Sequence, residues 1–334
     1  MANDNGDSSL PLAELHLHLE GAIAPAMVRR LAARNGVALP DGLITPDNRF
    51  AWQDFTSFLN AYDAASMVLV TADDYAELTA DYLTSIAQDG AIYAELTISP
   101  DHSARAGIGY EALVEGVAAG IGRASAQTGI EARMIVTCIR HFGAERASKV
   151  ARMTAAFPHP LVTGFGMAGD ERFGRAANFR PAFEIARAAG LGATVHAGEI
   201  SGASSVADAL DLPVTRIGHG VRAIEHPPLV DMLAERGLVL EVCPGSNIAL
   251  KIFEQMTDHP LDRLRAAGVR VTLNSDDPSF FDTTLKAEYR TARDVFGWSP
   301  STLRAATRTA IEAAFIDDST RARLLRKLEE SSAP

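Results

Sequence analysis

Cysteine is almost missing from this chain: Cys138 and Cys243 are its two thiols in 334 residues, each within an apolar run of strand-like composition. A disulfide framework is thereby excluded, and both read as small buried hydrophobes. Long apolar runs are missing too. No segment has the roughly 18 consecutive apolar residues that a membrane helix needs. Nor is there an excess of positive charge: the formal net charge is -11, which argues against a nucleic-acid backbone or an anionic membrane surface as partner, though not against a neutral base or nucleoside. The opening MANDNGDSSL is polar and acidic, unlike a signal peptide, so a cytoplasmic location is expected. Low-complexity linkers and charge runs are lacking as well. At 47% hydrophobic and 22% charged, the chain fits a single globular unit, 1–334, with a large core.

What is present is a recurrence. Short apolar, β-rich segments are followed by Ala/Leu/Arg/Glu-rich stretches of helical spacing, and eight such segments occur: 13–19, 91–99, 131–139, 161–169, 192–199, 216–220, 238–246 and 269–278. Strands alternating with helices imply parallel βαβ units, and eight of them predict a single (β/α)8 TIM barrel. The long first connection predicts extra helices capping the C-terminal face, with a helical lid region over 50–88. Within FAWQDFTSFLNAYDAASM (50–67), Phe55, Phe58, Leu59 and Tyr62 share one helical face, suited either to seating a helix on the barrel or to excluding water from a planar substrate.

In such a barrel the chemistry sits at strand C-termini. His16 and His18, in ELHLHLEG, are two apart and lie on one side of a strand, so both imidazoles can reach one ion. His196 from the fifth segment and Asp276 from the eighth would complete a set of three imidazoles and one carboxylate, the donor types zinc prefers, with a position left for water. An ion there lowers the pKa of water from 15.7 toward about 7. His219, in RIGHG, is placed to orient that water, accept its proton and stabilise the hydroxide, and Glu199 is the natural acid if burial keeps it protonated. Asp276 and Asp277, as strand neighbours, would diverge, the first to the metal and the second to the substrate. His159, His226 and His259, beside or near prolines, read as surface residues. His102 and His141 could line a pocket, with a structural hydrogen bond the favoured role for His141. Gly164-x-Gly166-x-x-Gly169 matches a dinucleotide fingerprint but opens no clear helix and lacks the later acidic residue, so a Rossmann reading is rejected.

Taken together, ELHLHLEG, GFGMAGDE, TVHAGE, TRIGHG, EVCPGSN and TLNSDDP resemble, in order and over nearly the whole chain, the metal-dependent adenosine/adenine deaminase family of the amidohydrolase superfamily. The resemblance implies a zinc-dependent barrel, one Zn2+ per chain, that hydrolyses the exocyclic amine of a 6-aminopurine. By motif position it implies zinc ligands His16, His18, His196 and Asp276, with Glu199 as proton donor to N1 and His219 positioning the hydroxide. Asp277 would share a proton with N7, the Gly169 N–H would address N3, and His18 and Glu20 would contact the substrate. Glu20 stands where adenosine deaminases usually carry Asp; with WQDFTSFL and ALDLPVTRI it points toward the adenine branch, whereas AGDE (168–171) points toward nucleosides. Gly245, in CPGSN, suggests extra room for an altered substrate. Adenosine or 2'-deoxyadenosine is the expected substrate, with adenine or a modified adenine as the alternative. A dinuclear esterase or lactonase is disfavoured because GFGMAGDE has no lysine to bridge two metals. A silent purine-binding barrel is disfavoured because no candidate ligand or acid is missing.

Overall fold

A computed structural model describes residues 10–331, so all of the acidic opening except Leu10 lies outside the described residues. Eight strands form one parallel sheet in sequential order: β1 Leu12–His18, β2 Ala91–Ile98, β3 Glu131–Ile139, β4 Val162–Ala168, β5 Gly192–Ala197, β6 Arg216–His219, β7 Val239–Val242 and β8 Arg270–Leu273. The sheet closes beyond the end of β8, where Asp276 N donates to His16 O at 3.1 Å and His18 N to Asp276 O at 2.9 Å. This is the (β/α)8 barrel that the recurrence predicts. Its core lies between the strands and the surrounding helices, where Leu17, Leu96, Val136, Val195, Leu240 and Leu273 are fully buried. Among the described residues, no helix is long and apolar enough to cross a membrane.

β7 and β8 are shorter than their apolar segments. Cys243 lies just past β7, buried as expected. After β8, the Asn274 side chain takes over the pairing, accepting from Leu15 N at 2.9 Å and donating to Val242 O at 3.2 Å.

The barrel interior is charged, unlike the branched aliphatic layers usual in this fold. Arg216, fully buried, donates to Glu95 at 2.6 Å, approaches Glu241 at 2.7 Å and stacks 3.7 Å above the Phe315 ring. Phe315 accounts for the first glycine of the false fingerprint. A Cβ at Gly164 or Gly192, near the starts of β4 and β5, would meet its ring at 2.7 or 2.2 Å. In the first connection, helix Phe55–Ser66 lies over the C-terminal mouth. Helix Ala72–Gln88 packs instead on helix Tyr110–Thr128, where a Cβ at Gly116 would meet Ala72 O at 2.4 Å.

Candidate active site

β1 delivers both of its histidines to one point. His16 Nε2 and His18 Nε2 lie 3.4 and 3.5 Å from Asp276 Oδ1, and His18 Nε2 faces His196 Nε2 at 3.1 Å. The ligand atoms of His16, His18, His196 and Asp276 all lie within 4.8 Å of one another. Asp276 is not a strand residue, as the sequence suggested. It sits in the turn after β8 with a left-handed φ of 64°, and this turn, not strand alternation, brings both Asp276 and Asp277 to the cavity. His219, at the end of β6, has φ 58°. Such conformations cost about 1–3 kcal/mol each and persist where surrounding contacts enforce them.

The electrostatics fit a cation. Burial holds the His18 imidazole down to about 4 and His196 well below its usual range, so both present neutral rings. Burial opposes charge on His16 too, but Asp276 and Glu241 outweigh it and hold its pKa near 10. His16 Nε2 nevertheless has no aligned hydrogen-bond partner. A proton is therefore favoured at a nitrogen surrounded by ligand atoms, which is where a metal ion would substitute for it. On its other side Nδ1 lies 2.8 Å from Glu241 Oε2, an outer contact that fixes ring orientation. Cys243 joins His16, His219 and Asp276 in a second possible set. Its thiol donates to Glu241 O at 3.5 Å, and burial with the surrounding carboxylates pushes its pKa far up, so it fits poorly as a thiolate ligand. Two glycines make the room. A Cβ at Gly218 would meet His16 Cε1 at 2.7 Å, and one at Gly21 would meet Asp277 Oδ1 at 1.8 Å.

A cavity of about 290 Å3 opens beside this cluster, lined by His18, Glu20, Gly169, Glu199, His219 and Asp277 among others. Burial and the neighbouring Asp276 and Glu171 raise the Glu199 carboxyl well above its ordinary range. Burial and Asp276 do the same for Asp277, whose Oδ1 has no hydrogen-bond partner. Both shifts favour the protonated form, in which a carboxyl can donate a hydrogen bond. Gly169, φ 94°, turns where β4 ends, against His141. Glu20 is buried, accepting from Ser99 N and from Tyr62 Oη, each at 3.3 Å. Phe55, Phe58, Leu59 and Tyr62 all face the cavity.

Several expectations change. His259 is buried, not on the surface, and bonds to Asn247 at 3.0 Å. His226 is exposed and caps the helix that follows it, whereas His159 is half-buried. His102 and His141 both line the cavity; His102 lies between Ser99 Oγ at 2.7 Å and Asp63 Oδ1 at 3.0 Å, and His141 accepts from Asp170 N at 3.2 Å. Gly245 opens no room for substrate: a Cβ there would meet Glu288 Oε1 at 2.3 Å. Glu171, the last residue of AGDE, does not line the cavity and turns to the loop after β5. Residues that sequence reading missed are Glu241, Glu171, Asn247 and Gly21. Glu241 and Asn247 lie within EVCPGSN, but their partners come from β1 and from the chain after residue 250, which local spacing does not reveal.

Comparison with known proteins agrees with this geometry. A sequence model described as adenosine deaminase matches residues 11–331. A protein of Rhizobium rhizogenes named adenine deaminase is 54% identical over 322 residues, covering 96% of this chain and 99% of its own length. The crystal structure of adenine deaminase from Arthrobacter aurescens superposes with a TM-score of 0.90 at 32% identity, covering 96% of this chain and 98% of that one. An amidohydrolase from Burkholderia ambifaria, with bound Zn, superposes at a TM-score of 0.86 and 27% identity, over 97% of this chain and 90% of that one. By its full-length match and its barrel, the chain belongs to the adenosine deaminase family and is a hydrolytic deaminase of the amidohydrolase superfamily.

Proposed function

We propose that this enzyme is an adenine deaminase, converting adenine and water to hypoxanthine and ammonia, with one zinc ion held by His16, His18, His196 and Asp276. The observation that carries the choice of the free base is the 54% identity, over nearly all of both chains, with a protein named adenine deaminase. The expectation of adenosine gives way to its alternative. Of AGDE, the cue that had favoured a nucleoside, Ala168, Gly169 and Asp170 line the cavity and Glu171 turns away from it; Glu20 and Tyr62, hydrogen-bonded to each other, line it as well.

When bound, zinc supplies a nucleophile at neutral pH by lowering the pKa of water. Glu199, protonated in its buried setting, gives its proton to N1 while oxygen adds at C6. Asp277, also protonated, donates to N7, and the Gly169 N–H addresses N3. The remaining N9–H edge then falls to the Glu20 carboxylate. His219 directs its Nε2 toward Glu199 Oε2 and Asp276 Oδ2, at 3.7 and 3.8 Å, and so orients the nucleophile. Phe58, Tyr62 and Phe281 exclude bulk water from the planar base.

The test is ammonia release by zinc-loaded protein with adenine, adenosine, 2'-deoxyadenosine and N6-methyladenine in parallel. Adenine should exceed both nucleosides in kcat/KM by about 100-fold or more. A preference for nucleosides would overturn the substrate, and no release from any would overturn the reading. E199Q should retain zinc and lose about 10²–10⁴-fold in kcat.

A further inference from the structure

Behind His219 runs a chain of hydrogen bonds whose direction is set at its far end by a backbone amide. Leu261 N donates to His259 Nδ1 at 3.2 Å. A backbone N–H cannot act as an acceptor, so His259 Nδ1 carries the lone pair and the ring proton sits on Nε2. His259 Nε2 lies 3.0 Å from Asn247 and therefore donates to its Oδ1. The Asn247 amide is thereby fixed in orientation, leaving Nδ2 to donate to His219 Nδ1 at 3.3 Å. An acceptor at Nδ1 places the proton of neutral His219 on Nε2, the atom that faces the cavity. All three side chains are buried, so water does not compete for these positions. Burial pushes the His259 imidazole down to about 3, in keeping with a neutral ring at the head of the chain.

We propose that Asn247 and His259 are positioning residues that lock His219 in the Nε2–H tautomer, so that His219 meets the attacking oxygen as a hydrogen-bond donor and not as a proton acceptor. The proposal rests on the reading above, in which His219 faces the nucleophile. It narrows that role to one direction of one hydrogen bond. His219 Nε2 has no other hydrogen-bond partner, as a donor reserved for a reacting atom requires. The proton given up by water then passes to the ionised carboxylate of Asp276, whose Oδ2 lies 3.8 Å from His219 Nε2.

The tautomer is read directly from ring ¹⁵N shifts and ¹⁵N–¹H couplings in zinc-loaded enzyme labelled at histidine, with His219 assigned by its loss in H219Q. The expected result is an Nε2–H, Nδ1-lone-pair signature that does not change between pH 6 and 9. An Nδ1–H signature, or a doubly protonated ring, would overturn the proposal on the wild-type protein alone. N247D supplies a carboxylate where the amide donated, and it should move the proton to Nδ1. Its kcat for adenine should fall about tenfold or more with KM within about threefold. A moved proton with unchanged kcat would overturn the donor role. Because the spectrum is independent of turnover, failure of the adenine assay would reject the substrate and leave the tautomer decided on its own.

Discussion

Glu171 gathers the backbone N–H groups of Gly198, Glu199, Ile200 and Ser201, with the Ser205 hydroxyl, onto one buried carboxylate. Successive N–H groups in a tight turn form a nest that favours an anion, and here the protein supplies its own. Arg140 ties the arrangement to β5 by donating to Glu171 O at 3.1 Å and His196 O at 3.0 Å. The loop carrying Glu199 is thus shaped from β4. E171Q keeps the size but sets an NH2 against a cluster of donors, leaving several N–H groups without an acceptor. Hydrogen bonds to a buried charge contribute about 1.5–3 kcal/mol, so urea unfolding should show a loss of that order. In steady-state kinetics kcat should fall about tenfold, with zinc content and KM near wild type. A fall confined to KM would place Glu171 in substrate binding instead.

At the scale of elements, helix Phe55–Ser66 differs from its neighbours because it covers a cavity instead of a strand. It is held at its start by a capping box, in which Asp54 accepts from Ser57 N at 2.8 Å and Ser57 Oγ accepts from Asp54 N at 2.9 Å, and near its end by Asp63, which pairs with His102 and Arg105. D54A removes the first anchor. Hydrogen exchange over 55–66 should accelerate about fivefold, and KM for adenine should rise by a similar factor while kcat is nearly unchanged. Equal exchange in the two proteins would show that packing of Phe58 and Tyr62 alone fixes the helix. The helix was legible because its aromatic stripe is local, as were the eight strands and the residues clustered at their ends, each marked by an apolar run that stops at a polar group. What was not legible depends on distant partners. His259 looked exposed because Pro260 follows it, yet Asn247 draws it inward. Gly245 looked like room for substrate, yet Glu288 fills the space. The outward turn of Glu171 depends on a loop 28 residues away.

For the molecule as a whole, buried carboxylates bind the barrel together, and they carry different charge. Glu241 stays ionised: burial opposes this, but Arg216 and His16 hold it below its ordinary range. Glu288, on helix Leu285–Asp294, has no such cation in its first contacts. It accepts from Gly245 N at 3.0 Å and from Thr283 Oγ1 at 2.5 Å, and burial lifts its pKa from 4.5 to about 7. Below pH 4.5 the carboxyl is protonated in both folded and unfolded chains and contributes no pH dependence. Between about 4.5 and 7 the unfolded chain releases the proton while the folded one keeps it, so the unfolded state binds fewer protons and stability falls as pH rises. Above about 7 both forms are ionised and the loss is complete, amounting to about 3 kcal/mol. E288Q replaces the neutral carboxyl by a neutral amide able to accept from Gly245 N and donate to Thr283 Oγ1. Urea unfolding should find E288Q and wild type within about 1 kcal/mol at pH 5, and E288Q the more stable by about 2–3 kcal/mol at pH 8. A difference that does not vary with pH would mean that Glu288 is ionised throughout, and that its two donors stabilise the charge against burial.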